Sequence, residues 1–294
     1  VRGDGVRRAV IIANRGAGSF SPGRLESACR ALEHAGLEVA QRLCSDFDTM
    51  TEAAQEAGSG KDSPLVVAAG GDGTINAVLN GLAGRGATCA ILPLGTANVL
   101  ALELGLDSAE TATQRIIAGT TRPFTAGLIR GGSRTSRFFL MAGAGLDGFI
   151  VRGVTLASKK RLGKGAYLLS ALEHLARWEE GRLRVIAGSA DFSCHSLVVC
   201  NAARYGGTFT LAPEASIFSP GLEVVAVTGS SRLAHLGLVR ETLLGTPGRG
   251  GSIVRLTADK ILIEGVKPLQ ADGDDWGDTP VEIVAEPAYA DIIV

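Results

Sequence analysis

The stretch "VVAAGGDGTINAVLNGL" (66–82) decides the reading of the first half of the chain. A short apolar run rich in Val and Ala ends in Gly70, Gly71, Asp72, Gly73 and Thr74. Beyond them Ile75, Val78, Leu79 and Leu82 recur at helical spacing. A buried strand that turns through glycines into a helix is half of a βα unit. The pattern repeats on both sides. "RRAVIIAN" (7–14) reads as a strand, and Ser21-Pro22 as the N-cap and first residue of a helix. That helix carries Leu25, Ala28, Cys29, Leu32 and Ala35 on one face and stops at Gly36. "TCAILPL" (88–94) reads as a further strand, with a helix beginning near Thr96. Alternating β and α elements imply a parallel sheet with helices on its faces, where ligands bind beyond the carboxyl ends of the strands.

From about residue 124 the texture changes. "TAGLIRGG", "RFFLMAG", "RLRVIAG", "GLEVVAVTG", "KILIEG" and "PVEIVAE" are short strand-like runs broken by Gly, Pro, Asp or Ser. That is an antiparallel β signature, interrupted by one predicted helix at 165–178. The expected division is an α/β domain over 1–124 and an all-β domain over 125–294.

Composition narrows the function. The chain has 294 residues, 46% hydrophobic, with a net charge of -1, so no global basic field calls for nucleic acid. Aromatics at 5% argue against base-stacking platforms. Five cysteines without a CxxC pair read as buried thiols of a cytoplasmic protein. No apolar run reaches the length of a membrane span. The glycine turns "GGDGT" (70–74) and "PLGTAN" (93–98) both end strands, and "NRGAG" (14–18) follows the first strand. A single such turn reads as a tight βα connection. Three of them favour a phosphate cradle, because glycine lets the backbone approach an anion and helix N-termini offer N–H groups. The spacing is neither GxxxxGK[ST] nor a protein-kinase glycine loop.

"NRGAG" (14–18), "GGDGTIN" (70–76), "PLGTANVLALELGL" (93–106) and "LQADGD" (269–274) stand in an order and spacing that resemble the diacylglycerol kinase catalytic-domain family, relatives of NAD kinase. The last motif separates the lipid kinases from NAD kinases. The resemblance implies a nucleotide domain of the NAD kinase and diacylglycerol kinase type, a β-sandwich lipid domain, and an active site in the cleft between them. It implies an ATP-dependent kinase acting on a lipid hydroxyl, diacylglycerol first, with ceramide, sphingosine or another lipid alcohol as further candidates. Asn14, Gly70, Gly71, Asp72, Gly73, Thr74, Asn76, Gly95, Thr96 and Asn98 would line the ATP site, with Asp72 beside the nucleotide's Mg2+. Asp272 would be the general base. The partner would be a lipid at a membrane surface, met peripherally by a protein without a transmembrane segment; a homodimer is compatible.

Several acidic positions of the family are absent. Ala77, Val99 and Thr125 replace carboxylates, and an Asp-Asp-Gly turn is "FSPG" (218–221), with Ser219 and Pro220. A hard cation needs oxygen ligands, so no structural metal of that kind is expected. The losses keep a non-catalytic lipid-binding relic in view; an NAD kinase, which would use the same GGDGT, is the other alternative. "GAGLDG" (143–148) matches GxGxxG but sits among β runs without a βαβ unit, so no dinucleotide site is assigned to it; Asp147 there is a candidate to face the cleft. "SKKRLGKGAY" (158–167) reads equally as a dock for anionic headgroups and as a solvated loop. The four histidines have no zinc-type spacing and read as structural.

Overall fold

A computed structural model describes residues 7–16, 20–59, 63–84, 86–153, 181–207, 209–229, 232–244 and 251–294. The basic stretch at 158–167 and the helix expected at 165–178 lie outside the described residues. The chain divides into two compact units: residues 1–125 with 287–294, and residues 126–286.

In the first unit, β1 (Arg7–Asn14), β2 (Leu37–Cys44), β3 (Leu65–Gly70) and β4 (Thr88–Pro93) form parallel pairs in the order β2-β1-β3-β4. Strands buried on both faces read as continuous apolar runs, and β1 and β3 do so through Ile11, Ile12, Val66 and Val67. The helices are α1 (Pro22–His34), α2 (Phe47–Ala57), α3 (Asp72–Gly81), the short α4 (Val99–Glu103) and α5 (Ala109–Ala118). Local chemistry starts them: Pro22 opens α1, Asp46 accepts the Thr49 N–H at 2.9 Å, and Ser108 accepts the Thr111 N–H at 3.0 Å. α4 begins three residues later than the sequence suggests. Asn98 takes a left-handed backbone (φ 49°), so the helix cannot start before it.

The second unit is β-sandwich-like. One sheet runs β14 (Ile253–Ala258), β13 (Leu222–Val227), β10 (Ser196–Cys200), β7 (Met141–Ala144), β16 (Pro268–Ala271), β17 (Asp274–Asp278), antiparallel throughout. The other layer holds β8 (Leu183–Ala187), β9 (Ala190–Cys194), β15 (Lys260–Glu264), β5 (Thr121–Gly131), β6 (Arg134–Phe138) and the first half of β18 (Val281–Ile293). Period-two alternation builds the core. Leu183, Val185, Ile261, Ile263 and Ile283 point in to meet Leu197, Val199, Val224 and Leu269. Each such aliphatic side chain contributes about 1.5–3 kcal/mol by leaving water. Arg184, between two inward residues, points out and pairs with Asp191 and Glu264. Among the described residues this unit also has two helices, α6 (Leu146–Gly153) and α7 (Arg232–Leu244).

The second unit stops at Glu286, although the sequence places 125–294 in one domain. The reason is β18: its first half pairs β15, whereas Asp291 and Ile292 lie parallel to Thr88 and Cys89 of β4. Tyr289 follows suit, stacking edge-on to Phe124 and donating to the Leu79 carbonyl at 2.5 Å.

Candidate active site

Strand order sets the first part of the site. The chain leaves β1 toward β2 on one side and returns to β3 on the other, so a topological switch point lies between β1 and β3. Ala13 is in register with Ala69, and Gly70 with Pro93. The carboxyl ends of β1, β3 and β4 therefore bring Asn14, the 70–74 turn and the 93–98 turn to one edge. Asn14 closes its own turn by accepting the Gly16 N–H at 2.8 Å.

The two glycine turns touch. A Cβ on Gly95 would stand 2.3 Å from Gly71 Cα and 2.6 Å from Asn98 Oδ1, so only glycine lets these backbones meet. Asn98 locks the second turn from both ends. Its Oδ1 accepts the Gly95 N–H at 3.0 Å and its Nδ2 donates to the Gly95 carbonyl at 2.9 Å. Asp72 bridges the turns: Oδ1 accepts the Val99 N–H at 2.7 Å and caps α4. Burial pushes the Asp72 carboxyl above its ordinary range, and N–H groups of the Val99 and Leu100 backbone pull it back. The expected metal neighbour thus serves as a helix cap. By contrast, the Gly71 N-cap of α3 brings no side-chain hydrogen bond to that helix start. Thr74 is buried in the first turn of α3, Gly73 and Thr96 are exposed, and Asn76 Oδ1 accepts from Asn80 at 2.8 Å.

The replaced acids are built into apolar packing. Ala77, Val99 and Thr125 are all buried, and the Ala77 carbonyl accepts from Thr51 at 3.1 Å. Among the described residues, no group of three or more His, Cys, Asp or Glu side chains is arranged to hold a metal ion.

In the second unit, Asp272 and Gly273 form the two-residue turn between β16 and β17, both with positive φ (48° and 90°). That is a turn for which Asp-Gly is the favoured sequence. The carboxylate faces a row of backbone donors. Oδ2 accepts the Phe139 N–H at 2.8 Å, and Oδ1 accepts Leu140 N–H at 2.9 Å and Met141 N–H at 3.0 Å. Asp272 N–H returns a bond to the Met141 carbonyl at 2.9 Å. The donor row is itself held: Asn201 binds the Phe139 carbonyl through Nδ2 at 2.9 Å and the Leu140 carbonyl through its N–H at 2.8 Å. Successive N–H groups of this kind hold a carboxylate in one orientation.

Sequence reasoning singled out Asp147 but assigned no role to Gln270 or Tyr205, which lie with it behind this turn. Gln270 is 2% exposed; its Oε1 accepts the Gly273 N–H at 2.8 Å and its Nε2 donates to Asp147 Oδ2 at 2.6 Å. Tyr205 OH donates to Asp147 Oδ1. Burial pushes the Asp147 carboxyl up, and these two donors oppose the shift. "GAGLDG" carried the signal: a Cβ on Gly143 would stand 1.9 Å from Asp147 Oδ2, so the glycine makes room for the carboxylate. β7 and its partners are antiparallel, as a strand outside any βαβ unit should be. The histidines also hold a surprise. His195 and His235 meet edge-on at 4.8 Å over Ser196 Oγ, which accepts the Leu146 N–H at the start of α6.

Residues 8–129 match the family described as the diacylglycerol kinase catalytic domain, and residues 141–294 match the YegS C-terminal NAD kinase beta sandwich-like domain. The chain belongs to the diacylglycerol kinase catalytic-domain family and carries its YegS-type C-terminal domain. This is a lipid kinase family. The chain is 32% identical over 226 residues to the "probable lipid kinase YegS-like" of Pseudomonas aeruginosa strain UCBPP-PA14, covering 75% of this chain and 72% of that protein. It is 27% identical over 288 residues to the diacylglycerol kinase of Bacillus subtilis, covering 95% and 93%. In fold it is similar to the crystal structure of a diacylglycerol kinase from Bacillus anthracis str. Sterne, with a TM-score of 0.76 at 18% identity over 99% of this chain and 98% of that one.

Proposed function

We propose that this protein transfers the γ-phosphate of ATP to the hydroxyl of a membrane lipid, with diacylglycerol as the first candidate. The observation that carries the reading is the Asp272 carboxylate, fixed by three backbone N–H groups on a tight turn. Phosphoryl transfer through a loose transition state asks for positioning and charge stabilisation more than for a strong base. A rigid carboxylate suits that demand: Asp272 takes the proton of the lipid hydroxyl as its oxygen attacks the γ-phosphorus, the bond to the β–γ bridging oxygen breaks and ADP leaves. Asn14, Gly70, Gly71, Gly73, Thr74, Asn76, Gly95, Thr96 and Asn98 surround the nucleotide, and the N-terminus of α3 receives its phosphates. Asp72 supports this cradle by capping α4. Among the described residues the donor set does not fit a dedicated metal cage. Mg2+ bound together with the nucleotide would supply charge neutralisation there.

The lipid substrate places the protein at a membrane surface, bound peripherally. Among the described residues no helix is long and apolar enough to cross a membrane. The B. subtilis relative's name supports diacylglycerol as acceptor, and ceramide and sphingosine offer comparable hydroxyls.

The test is transfer of labelled γ-phosphate from ATP, with Mg2+, to diacylglycerol, ceramide and sphingosine in mixed micelles, beside Asp272→Asn. Labelled lipid with the wild type, and a loss of about 100-fold or more in the folded variant, is the expected result. Conversion of NAD to NADP instead would make the protein an NAD kinase. Vesicle binding with no transfer to any acceptor would make it a non-catalytic relic.

A further inference from the structure

We infer that Gln270 and Asp147 are positioning residues that fix the Asp272–Gly273 turn for phosphoryl transfer. The inference rests on the reading of Asp272 as the base. Gln270 occupies a place where an aliphatic side chain would bury at lower cost, since a buried amide must find partners for all its polar atoms. Its neighbour Leu269 joins the sandwich core, so period two sends Gln270 to the opposite face, toward α6. The β16–β17 pairing shifts register between Leu269 and Gln270, a local irregularity of the kind that re-aims a side chain.

The amide orientation is forced. Gly273 N–H can only donate, so Oε1 faces it and Nε2 faces Asp147. Asp147 is anchored in turn by Tyr205 and by the start of α6, where Gly145 N–H donates to the Pro268 carbonyl at 2.9 Å. Farther along α6, Arg152 grips β17 through Asp275 and Asp278 at 2.9 Å each. An Asp-Gly turn of this type forms without outside help, so the tether is more than the turn itself requires. Asp272 is held on one side by the 139–141 donors and Gly273 on the other by Gln270. The carboxylate has no slack along the turn, and a displacement of about 1 Å at a reacting group can cost about 100-fold in rate.

Gln270→Glu tests this without removing bulk. The carboxylate introduced there can still accept from Gly273, but it stands against Asp147, and two carboxylates in contact cannot both ionise cheaply. At low pH one shared proton preserves the tether; as pH rises the proton leaves and the tether opens. In Asp147→Asn/Gln270→Glu the polarity is reversed. The amide introduced at position 147 donates to the carboxylate introduced at position 270, and its oxygen accepts from Tyr205, whose hydroxyl adapts. The readouts are kcat and the ATP KM with diacylglycerol micelles, beside wild type and Asp272→Asn, and hydrogen exchange of the Gly273 amide in each folded protein. The expected result for Gln270→Glu is a kcat that falls relative to wild type by about tenfold or more between about pH 6 and about pH 9, with the ATP KM unchanged. Gly273 exchange accelerates in parallel, and the double variant recovers both. A Gln270→Glu enzyme that tracks wild type in kcat while Asp272→Asn is inactive overturns the positioning role alone. An active Asp272→Asn overturns the reading of the base instead. Gly273 exchange unchanged in Gln270→Glu would show that no tether operates.

Discussion

Two turns in this protein use the same kind of donor, the backbone N–H, for opposite ends. At the 70–74 turn, glycine brings strand and helix to a start with no side-chain cap, a place suited to an incoming anion. At the 272–273 turn the anion is built in, and three consecutive N–H groups are committed to it. The α4 start stands between the two cases, since Asp72 supplies a carboxylate cap from a neighbouring turn. A helix start or loop can therefore recruit a ligand or immobilise a side chain. The deciding factor is whether the fold delivers a carboxylate of its own.

That contrast can be broken at Gly95. Gly95→Ala forces a Cβ into the Gly71 backbone, which cannot yield as a flexible side chain would. The variant should lose about 1–3 kcal/mol of stability in urea and raise the ATP KM several-fold. Gly73→Ala sharpens the point: its Cβ meets nothing within 4 Å, so stability should hold or rise by about 0.5–1 kcal/mol. If both variants unfold alike, close approach is not what the first turn needs.

A smaller effect is expected at Asp72. Asp72→Ala removes the α4 cap and should cost about 0.5–2 kcal/mol, whereas Asp72→Asn keeps an acceptor for the Val99 N–H and should cost less. Equal losses for the two would assign Asp72 to its charge rather than to the cap.

The smallest effect is a slope. The Asp147 carboxyl is raised above its ordinary 3.8 by burial. A raised carboxyl contributes stability that is full below the unfolded value and lost as pH rises through the folded one. Wild type should therefore lose stability relative to Asp147→Asn as pH climbs from 3.8 through the raised value, by no more than about 1.4 kcal/mol per pH unit. Parallel denaturation curves at each pH would check it; a constant difference would remove Asp147 from the ionising groups of the fold.

Much of this was legible along the chain. Periodicity located β1, β3, β4 and α3, because their core contacts repeat locally. Glycine turns and "LQADGD" marked the strand-to-helix turns of the first unit and the Asp272 turn of the second, because tight turns demand particular residues wherever they occur. The α4 start was misplaced by three residues, since Asn98 closes a turn through its side chain rather than entering the helix. The end of β18 could not be assigned from its local pattern, because which sheet a strand segment joins is set by partners far away in the chain.

The sequence by itself determined β1, α1, β3, α3 and β4, the glycine turns and the Asp-Gly turn, all of which depend on residues a few positions apart; β2, α2 and α5 carried no pattern strong enough to be read. Tertiary structure alone decided that Gln270 reaches Asp147 across 123 residues, that the Phe139–Met141 donors reach Asp272 across more than 130, and that His195 meets His235. Glutamine and aspartate have no local pattern that announces a buried partner. Such pairs are selected by the cost of leaving a polar atom unsatisfied in a packed interior, and that cost exists only once the sheets have closed over it.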